Sequence, residues 1–163
     1  ITKYNVTRST SATGTFTAVT AGTCSTLTTA GTCTVTGLTN GTKYYFKVSA
    51  TNAVGTSAVS AASAAITPAT LPGAPTGLKL TKTRAGTLSI SWAAPASNGG
   101  SPIVRYEYCF KTSTATIYSS WTSLTTSTSF SLTGLLTGTT YNVQIRAVNA
   151  VGVSAAVLGS GTP

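Results

Sequence analysis

The chain has 163 residues, 41% of them hydrophobic and only 7% charged, where an average globular protein carries about 25% charged residues. Ten Lys and Arg face a single acid, Glu107, with no His and no Met, giving a net charge of +9. That composition excludes most self-contained enzyme chemistry, because paired carboxylates, Ser-His-Asp or Cys-His arrangements and His or carboxylate metal sites need residues the chain lacks. No catalytic, cofactor-binding or metal residue is therefore assigned, and the chain is expected not to be an enzyme. The cations are scattered and come without helix motifs or RNA-type aromatic signatures. Nucleic acid is therefore not expected as a partner, whereas weak attraction to anionic cell-wall or glycan polymers fits the charge. No run of 18 apolar residues occurs, so membrane insertion is not expected.

In chain order, Asn5-Val-Thr7 comes first, and with Asn40-Gly-Thr42 it fits the N-glycosylation acceptor pattern. With 36 Thr and 20 Ser in the chain, such matches arise easily by chance. Cys24 and Cys33 flank a short polar stretch. The pair, without His or further Cys nearby, makes a poor zinc site and a good small disulfide loop, with two reduced thiols as the other reading. Closing so short a loop stabilises by roughly 2–3 kcal/mol, and a disulfide implies an oxidising compartment. Next, Tyr44, Phe46, Val48 and Ala50 alternate with Tyr45, Lys47, Ser49 and Thr51, a period-two pattern with one face for a core and one for water. Thr67-Pro68 closes this region, and Ala69-Thr-Leu-Pro72 reads as a short, stiff linker.

Further strands are predicted over 74–83, 86–93, 103–112, 119–124 and 129–135, and around Tyr141, separated by Gly, Asn, Ser and Pro clusters. Asn98-Gly-Gly100 reads as a loop ahead of the third of these. If Tyr106, Tyr108 and Phe110 face a core, then Arg105, Glu107, Cys109 and Lys111 face outward. An outward Cys109 between two cations would have a depressed pKa and could pair with another chain; the plainer reading is an inert free thiol. Glu107 is expected opposite Arg146, as a pair worth well under about 1 kcal/mol if exposed. Tyr118 and Trp121 are candidate glycan contacts, with covering the sheet edge as the plainer role.

Residues 41–58 align with residues 138–155, ten of eighteen positions being identical at a spacing of 97. Upstream, Thr36-Gly-Leu38 matches Thr133-Gly-Leu135, and Ile1-Thr-Lys-Tyr4 matches Ile103-Val-Arg-Tyr106. A repeat of that length is domain-sized, so the chain holds two homologous domains.

Trp92 before Ala-Ala-Pro95, Asn98-Gly-Gly-Ser-Pro102 before Ile-Val-Arg-Tyr106, and Thr133-Gly-Leu-Leu-Thr-Gly-Thr-Thr-Tyr141 followed by Ala147-Val-Asn-Ala-Val-Gly152 together resemble a fibronectin type III domain. The resemblance implies an all-β fold: two such immunoglobulin-like β-sandwiches in tandem, each ideally of seven strands in sheets A-B-E and C′-C-F-G. Trp92 would be the core residue on strand B. Tyr141, and Tyr44 in the first domain, would lead into strand F. The implied organisation is a partial module over 1–68, holding strands C to G, a linker over 69–72 and a complete module over 73–163. Strands A and B of the first module would be the missing part, leaving a large apolar face wet unless preceding residues or another chain cover it.

The Thr-rich, acid-poor style further resembles tandem modules of secreted bacterial proteins, especially actinobacterial ones. The expected role is non-catalytic: extracellular or cell-surface structural and interaction modules, such as a spacer, stalk or adhesive array, within a longer repeat protein or filament. Partners would be further domains of the same chain or other copies of it. The alternatives are accessory domains of a secreted polysaccharide-degrading enzyme, or a phage or filament decoration module.

Overall fold

Strands form where β-branched, aromatic and other apolar residues alternate with Thr, Ser or a single cation. In chain order they are β1 (Lys3–Ser9), β2 (Thr17–Ala18), β3 (Tyr45–Thr51), β4 (Thr76–Arg84), β5 (Thr87–Ala93), β6 (Arg105–Thr112), β7 (Thr122–Ser123), β8 (Ser129–Leu132), β9 (Tyr141–Val148) and β10 (Val157–Gly161). A single 3-10 turn, Thr23–Thr26, is the only helical element. The computed structural model describes all of residues 1–163 and divides into two units, Ile1–Pro68 and Ala69–Pro163.

The second unit is a sandwich of two antiparallel sheets, β4-β5-β8 and β10-β9-β6-β7. Alternation along β5 turns Leu88, Ile90 and Trp92 inward to meet Tyr106, Val143 and Ile145 from the other sheet. Leu88, Ile90, Val143 and Ile145 are wholly buried. The Trp92 ring meets Tyr106 edge-on at 5.2 Å and Phe130 at 6.1 Å, the offset geometry aromatic quadrupoles favour. Tyr141 accepts a hydrogen bond from the Leu136 amide at 3.0 Å, fastening the loop before β9 to the strand it feeds. At Gly159 a Cβ would lie 2.7 Å from the tip of the Leu80 side chain, so the lack of a side chain there lets Leu78 and Leu80 of β4 lie close over β10.

The first unit carries one sheet, β2-β1-β3, with Val6 opposite Val48 and Arg8 opposite Phe46. Tyr44 repeats the tyrosine fastening, its hydroxyl accepting from the Thr39 amide at 3.1 Å. The hydrogen bond from Thr39 holds the Tyr44 phenol below its ordinary pKa. Residues 32–35 align with β8 yet form no strand. They have no neighbour like β5 to pair with.

After β3 the chain does not return as a strand. The amides of Ser57, Ser60, Ser63 and Ile66 donate to the carbonyls of Ala50, Val48, Phe46 and Tyr44, three residues advancing for every two of β3. Each serine hydroxyl accepts from the amide it faces, those of Ala50, Val48 and Phe46, and donates to the carbonyl of the next residue. The Ser-x-x period thus supplies side-chain acceptors where a β-strand would supply backbone ones. The second unit uses such a rung at Ser154, before β10 pairs regularly. Another rung at Ser119, facing Phe110, explains why the strand expected over 119–124 shrinks to Thr122–Ser123. The strand expected over 129–135 ends at Leu132, ahead of Gly134 with its φ of 74°.

Residues 69–72, read from sequence as a linker, are bound to the second unit. The Thr70 amide donates to Gly99 O at 2.8 Å, and the Asn149 amide nitrogen donates to Thr70 O at 2.8 Å. Proline stiffness was the sequence signal there, whereas one of these hydrogen bonds goes to the backbone of Gly99 in the Asn98-Gly-Gly100 loop and the other comes from a side chain 79 residues away.

Candidate functional site

Two surfaces could act on something else: the outer face of β6 and β9 in the second unit, and the uncovered face of the sheet in the first.

On β6 the alternation is as expected, but the consequence differs. Glu107 and Cys109 do lie on the face away from the sandwich core, yet they are 6% and 1% exposed. Arg105 and Arg146 lie against Glu107, and Gln144 against Cys109. Glu107 is opposite Arg146 in the β6–β9 register and receives Arg146 at 2.7 Å and Arg105 at 2.7 Å. The expected pair is thus a triad, with one buried carboxylate between two partly exposed guanidinium groups. Burial alone would raise the Glu107 pKa, but hydrogen bonds and charge from Arg146 and Arg105 outweigh it and hold the carboxyl below its ordinary value.

The reading of Cys109 as an outward, activated thiol is corrected. Its Sγ lies 3.6 Å from Gln144 Oε1, and burial pushes the thiol pKa up despite the nearby Arg146. A buried thiol of raised pKa is a poor nucleophile and is out of reach of a second chain.

The two candidate glycan contacts are each engaged on one ring face. The Arg146 guanidinium stacks over Trp121 at 3.9 Å from the ring centroid, and the Lys111 ammonium lies 5.1 Å from the Tyr118 centroid. Lys111 also donates to Ala115 O, so the segment after β6 is fastened down over the sheet. Both rings are partly buried and act here as covers for the outer face.

In the first unit the face read as a core is open. A groove of about 580 Å3 runs over Tyr4, Val6, Leu27, Val35, Phe46 and Val48. Val48 is 39% exposed while its repeat counterpart Ile145 is fully buried. The groove is bordered by the Cys24–Cys33 disulfide, whose Cα atoms are 5.0 Å apart. Cys24 is buried against Val6 and Val19, with Cys33 and Val35 packed beside them. Thr34 links the same segment to the other side of the loop, its carbonyl accepting from the Cys24 amide and its amide donating to Thr23 Oγ1.

One functional difference had no sequence signal beyond a shared Asn-Ala-Val-Gly. Asn149 is 3% exposed, and its Oδ1 accepts from the Val151 and Gly152 amides. Its Nδ2 donates to Thr70 O and Asn98 O, both at 2.8 Å. Gly99, with φ of 72°, allows this approach, since a Cβ there would lie 2.3 Å from Thr70 O. The counterpart Asn52 makes the same turn bonds, to the Val54 and Gly55 amides, but its Nδ2 is left to solvent.

Comparison with known proteins gives a consistent result. The family model described as fibronectin type III domain matches residues 1–66 and 73–157. Similar curated proteins include a Kelch domain-containing protein of Saccharolobus solfataricus, 36% identical over 74% of this chain, and human Myomesin-2, 35% identical over 73%. Chitinase A1 of Niallia circulans is 35% identical over 76% of this chain. The chain spans only 16%, 8% and 18% of the lengths of these three relatives. Among solved structures, a two-domain fibronectin type III segment of chicken tenascin matches 99% of this chain and 84% of its own, with TM-score 0.56 and 21% identity. Domains A168–A170 of titin match 77% of this chain and 42% of their own, with TM-score 0.55 and 23% identity.

Proposed function

The chain belongs to the fibronectin type III domain family, and from that premise we infer that its two units are non-catalytic structural and interaction modules of a longer secreted or cell-surface protein. The observation that carries this reading is the fate of the chain's single acidic side chain. Glu107 is buried and tied to Arg105 and Arg146 at 2.7 Å each, so the one group suited to general acid or base work is spent on structure. The Cys24–Cys33 bond supports an oxidising setting, and Thr, Ser and scattered cations keep the surface soluble with little charge. The modules serve as a spacer, stalk or adhesive array, of the kind seen in secreted bacterial proteins. Their partners are further domains of the same chain, other copies in a surface filament, or anionic wall polymers.

The test is the full-length protein in its own cells. Fractionation should find it outside the membrane, and intact mass should rise by about 2 Da on reduction, the two hydrogens of one disulfide. A cytosolic protein with all its thiols alkylated before reduction overturns the reading.

The similarity to Chitinase A1 favours a second reading, in which the two units are accessory domains beside a polysaccharide-degrading domain. Binding of an insoluble glycan by the two units alone, lost in Trp121→Ala, would give them a direct carbohydrate role. Unchanged binding in that variant removes Trp121 from it.

A further inference from the structure

At the far end of β1 the first unit is polar where the second is apolar. Tyr4 matches Tyr106 in the repeat, so Arg8 stands where the second unit has Phe110. Both keep the same register, Arg8 opposite Phe46 and Phe110 opposite Val143. Phe110 lies beside the Tyr141 ring, centroids 6.2 Å apart, and Arg8 takes that place over the matching Tyr44, its Cζ 5.7 Å from the ring centroid. A cleft of about 320 Å3 opens there, lined by Arg8, Ser9, Thr10, Thr15, Thr17 and Tyr44. Phe110 is only partly buried with β4 and β5 in place, so this position keeps contact with water in a complete sandwich too.

The charge in the cleft has no counterion. Of the four arginines, Arg105 and Arg146 hold Glu107, and Arg84 donates through Nε to Thr87 Oγ1 at 3.3 Å. Arg8 touches the Tyr44 ring but makes no hydrogen bond or ion pair within the chain, and the one acidic side chain is already taken. The hydroxyls around it are largely unspent. Those of Thr10 and Thr15 make no hydrogen bond in the fold, and Ser9 Oγ accepts from the Ser11 amide at 3.2 Å with its own proton left to give. Thr17 Oγ1 donates to Arg8 O at 3.4 Å, tying the far wall of the cleft to β1. A half-buried guanidinium is less screened than an exposed one, and its planar fork of N–H donors fits paired oxygens of carboxylate or phosphate.

We propose that the Arg8 cleft is a binding site for an oxyanion group, carboxylate or phosphate, carried by an anionic polymer. The inference rests on the reading of such polymers as partners and gives that attraction a place, where net charge alone would spread it over the whole surface. The guanidinium pairs with two oxygens of the group, the hydroxyls of Ser9, Thr10 and Thr15 donate to the polymer around it, and the Tyr44 ring forms the wall behind the cation. A neutral polymer meets the same hydroxyls but leaves the guanidinium unpaired, so the cleft selects for charge.

The experiment measures binding of the full-length protein to two soluble probes, polygalacturonate for carboxylate and inorganic polyphosphate for phosphate, with neutral dextran as the blank. It is run at about 0.15 M salt, where charges more than about 8 Å apart are largely screened. Arg8→Gln should weaken binding of the preferred probe by about tenfold, and Arg8→Lys by less, because the charge stays while the fork is lost. Lys79→Gln, the same change of charge on an exposed strand position, should weaken it by well under about twofold. Thr15→Val leaves Arg8 in place and removes a donor from an exposed loop. It should weaken binding by about threefold, and it keeps the test decisive if Arg8→Gln loosens the fold, which amide exchange of β1 and β3 would report. Preference for polygalacturonate assigns the carboxylate, and preference for polyphosphate the phosphate. Losses in Arg8→Gln and Thr15→Val no larger than in Lys79→Gln, with binding otherwise intact, overturn the cleft and leave the anionic-polymer reading standing. No binding of either probe overturns both.

Discussion

The two units share a repeat but differ in how the same side chains are used. Ile145 and Val48 occupy equivalent positions on β9 and β3, yet one is wholly buried and the other 39% exposed. The second unit packs ten buried residues from two facing sheets, whereas the first has one sheet and a cluster centred on Val6, Val19 and Cys24. Alternation creates an apolar face, but only a second layer turns that face into a core. In place of that layer the first unit has local fastenings: a disulfide, a tyrosine corner and a serine ladder.

The contrast predicts where mutations will hurt. Ile145→Ala should destabilise the second unit by about 2–5 kcal/mol, the range for deleting a fully packed aliphatic side chain. Val48→Ala should change the first by well under about 1 kcal/mol, since much of that side chain is already in water. Both tryptophans, Trp92 and Trp121, lie in the second unit. Denaturant unfolding followed by tryptophan fluorescence reports that unit alone, and amide exchange reports the first. Equal losses at the two positions would break the comparison.

Reducing Cys24–Cys33 should come next, lowering the stability of the first unit by roughly 2–3 kcal/mol while the second unit's fluorescence transition stays in place. A shift of that transition on reduction would show that the disulfide does more than local fastening.

The Glu107 triad sharpens the comparison on the other side. Its folded pKa is depressed, so the unfolded chain binds the proton more readily. The stability it contributes is present above the ordinary carboxylate pKa, about 4.3, and is lost as pH falls through the lower folded value. The second unit should therefore weaken below about pH 4, and Glu107→Gln should flatten that dependence. At neutral pH the same substitution should cost about 1–2 kcal/mol, less than a fully buried pair because Arg105 is 42% exposed and Arg146 23%. An unaltered acid limb in Glu107→Gln would remove the triad as its source.

The smallest expected effect is Ser60→Ala, which removes the acceptor for the Val48 amide and the donor to Ala61 O on an exposed edge. A loss of about 0.5–1.5 kcal/mol, confined to the first unit's exchange protection, would confirm that the ladder stabilises β3.

Much of this was legible beforehand, for reasons that can be named. Period-two alternation picks out the strands around Tyr44 and Tyr141, because neighbouring side chains on a strand must point to opposite faces, while the core role of Trp92 came from the family resemblance. Cys109 and Glu107 show where that reading stops. Alternation correctly turns them away from the core, but Arg146, itself under the Trp121 ring, and Gln144 from β9 then lie against them. Burial on an outer face depends on side chains arriving from elsewhere in the chain, which no local period encodes. The Ser57, Ser60 and Ser63 spacing was visible in the sequence, yet its period of three fits neither helix nor strand. Its role emerges only beside the β3 amides.

Sequence by itself determined the fold class, the repeat and the identity of the faces, since these follow from local alternation, turn residues and self-similarity. Tertiary structure decided which apolar face is wet, which serines replace a strand, that residues 69–72 bind the second unit, and that Asn149 is clasped where Asn52 is not. Each of those depends on whether a partner far along the chain is present to complete the contact, and hydrogen bonds and burial are properties of both partners together.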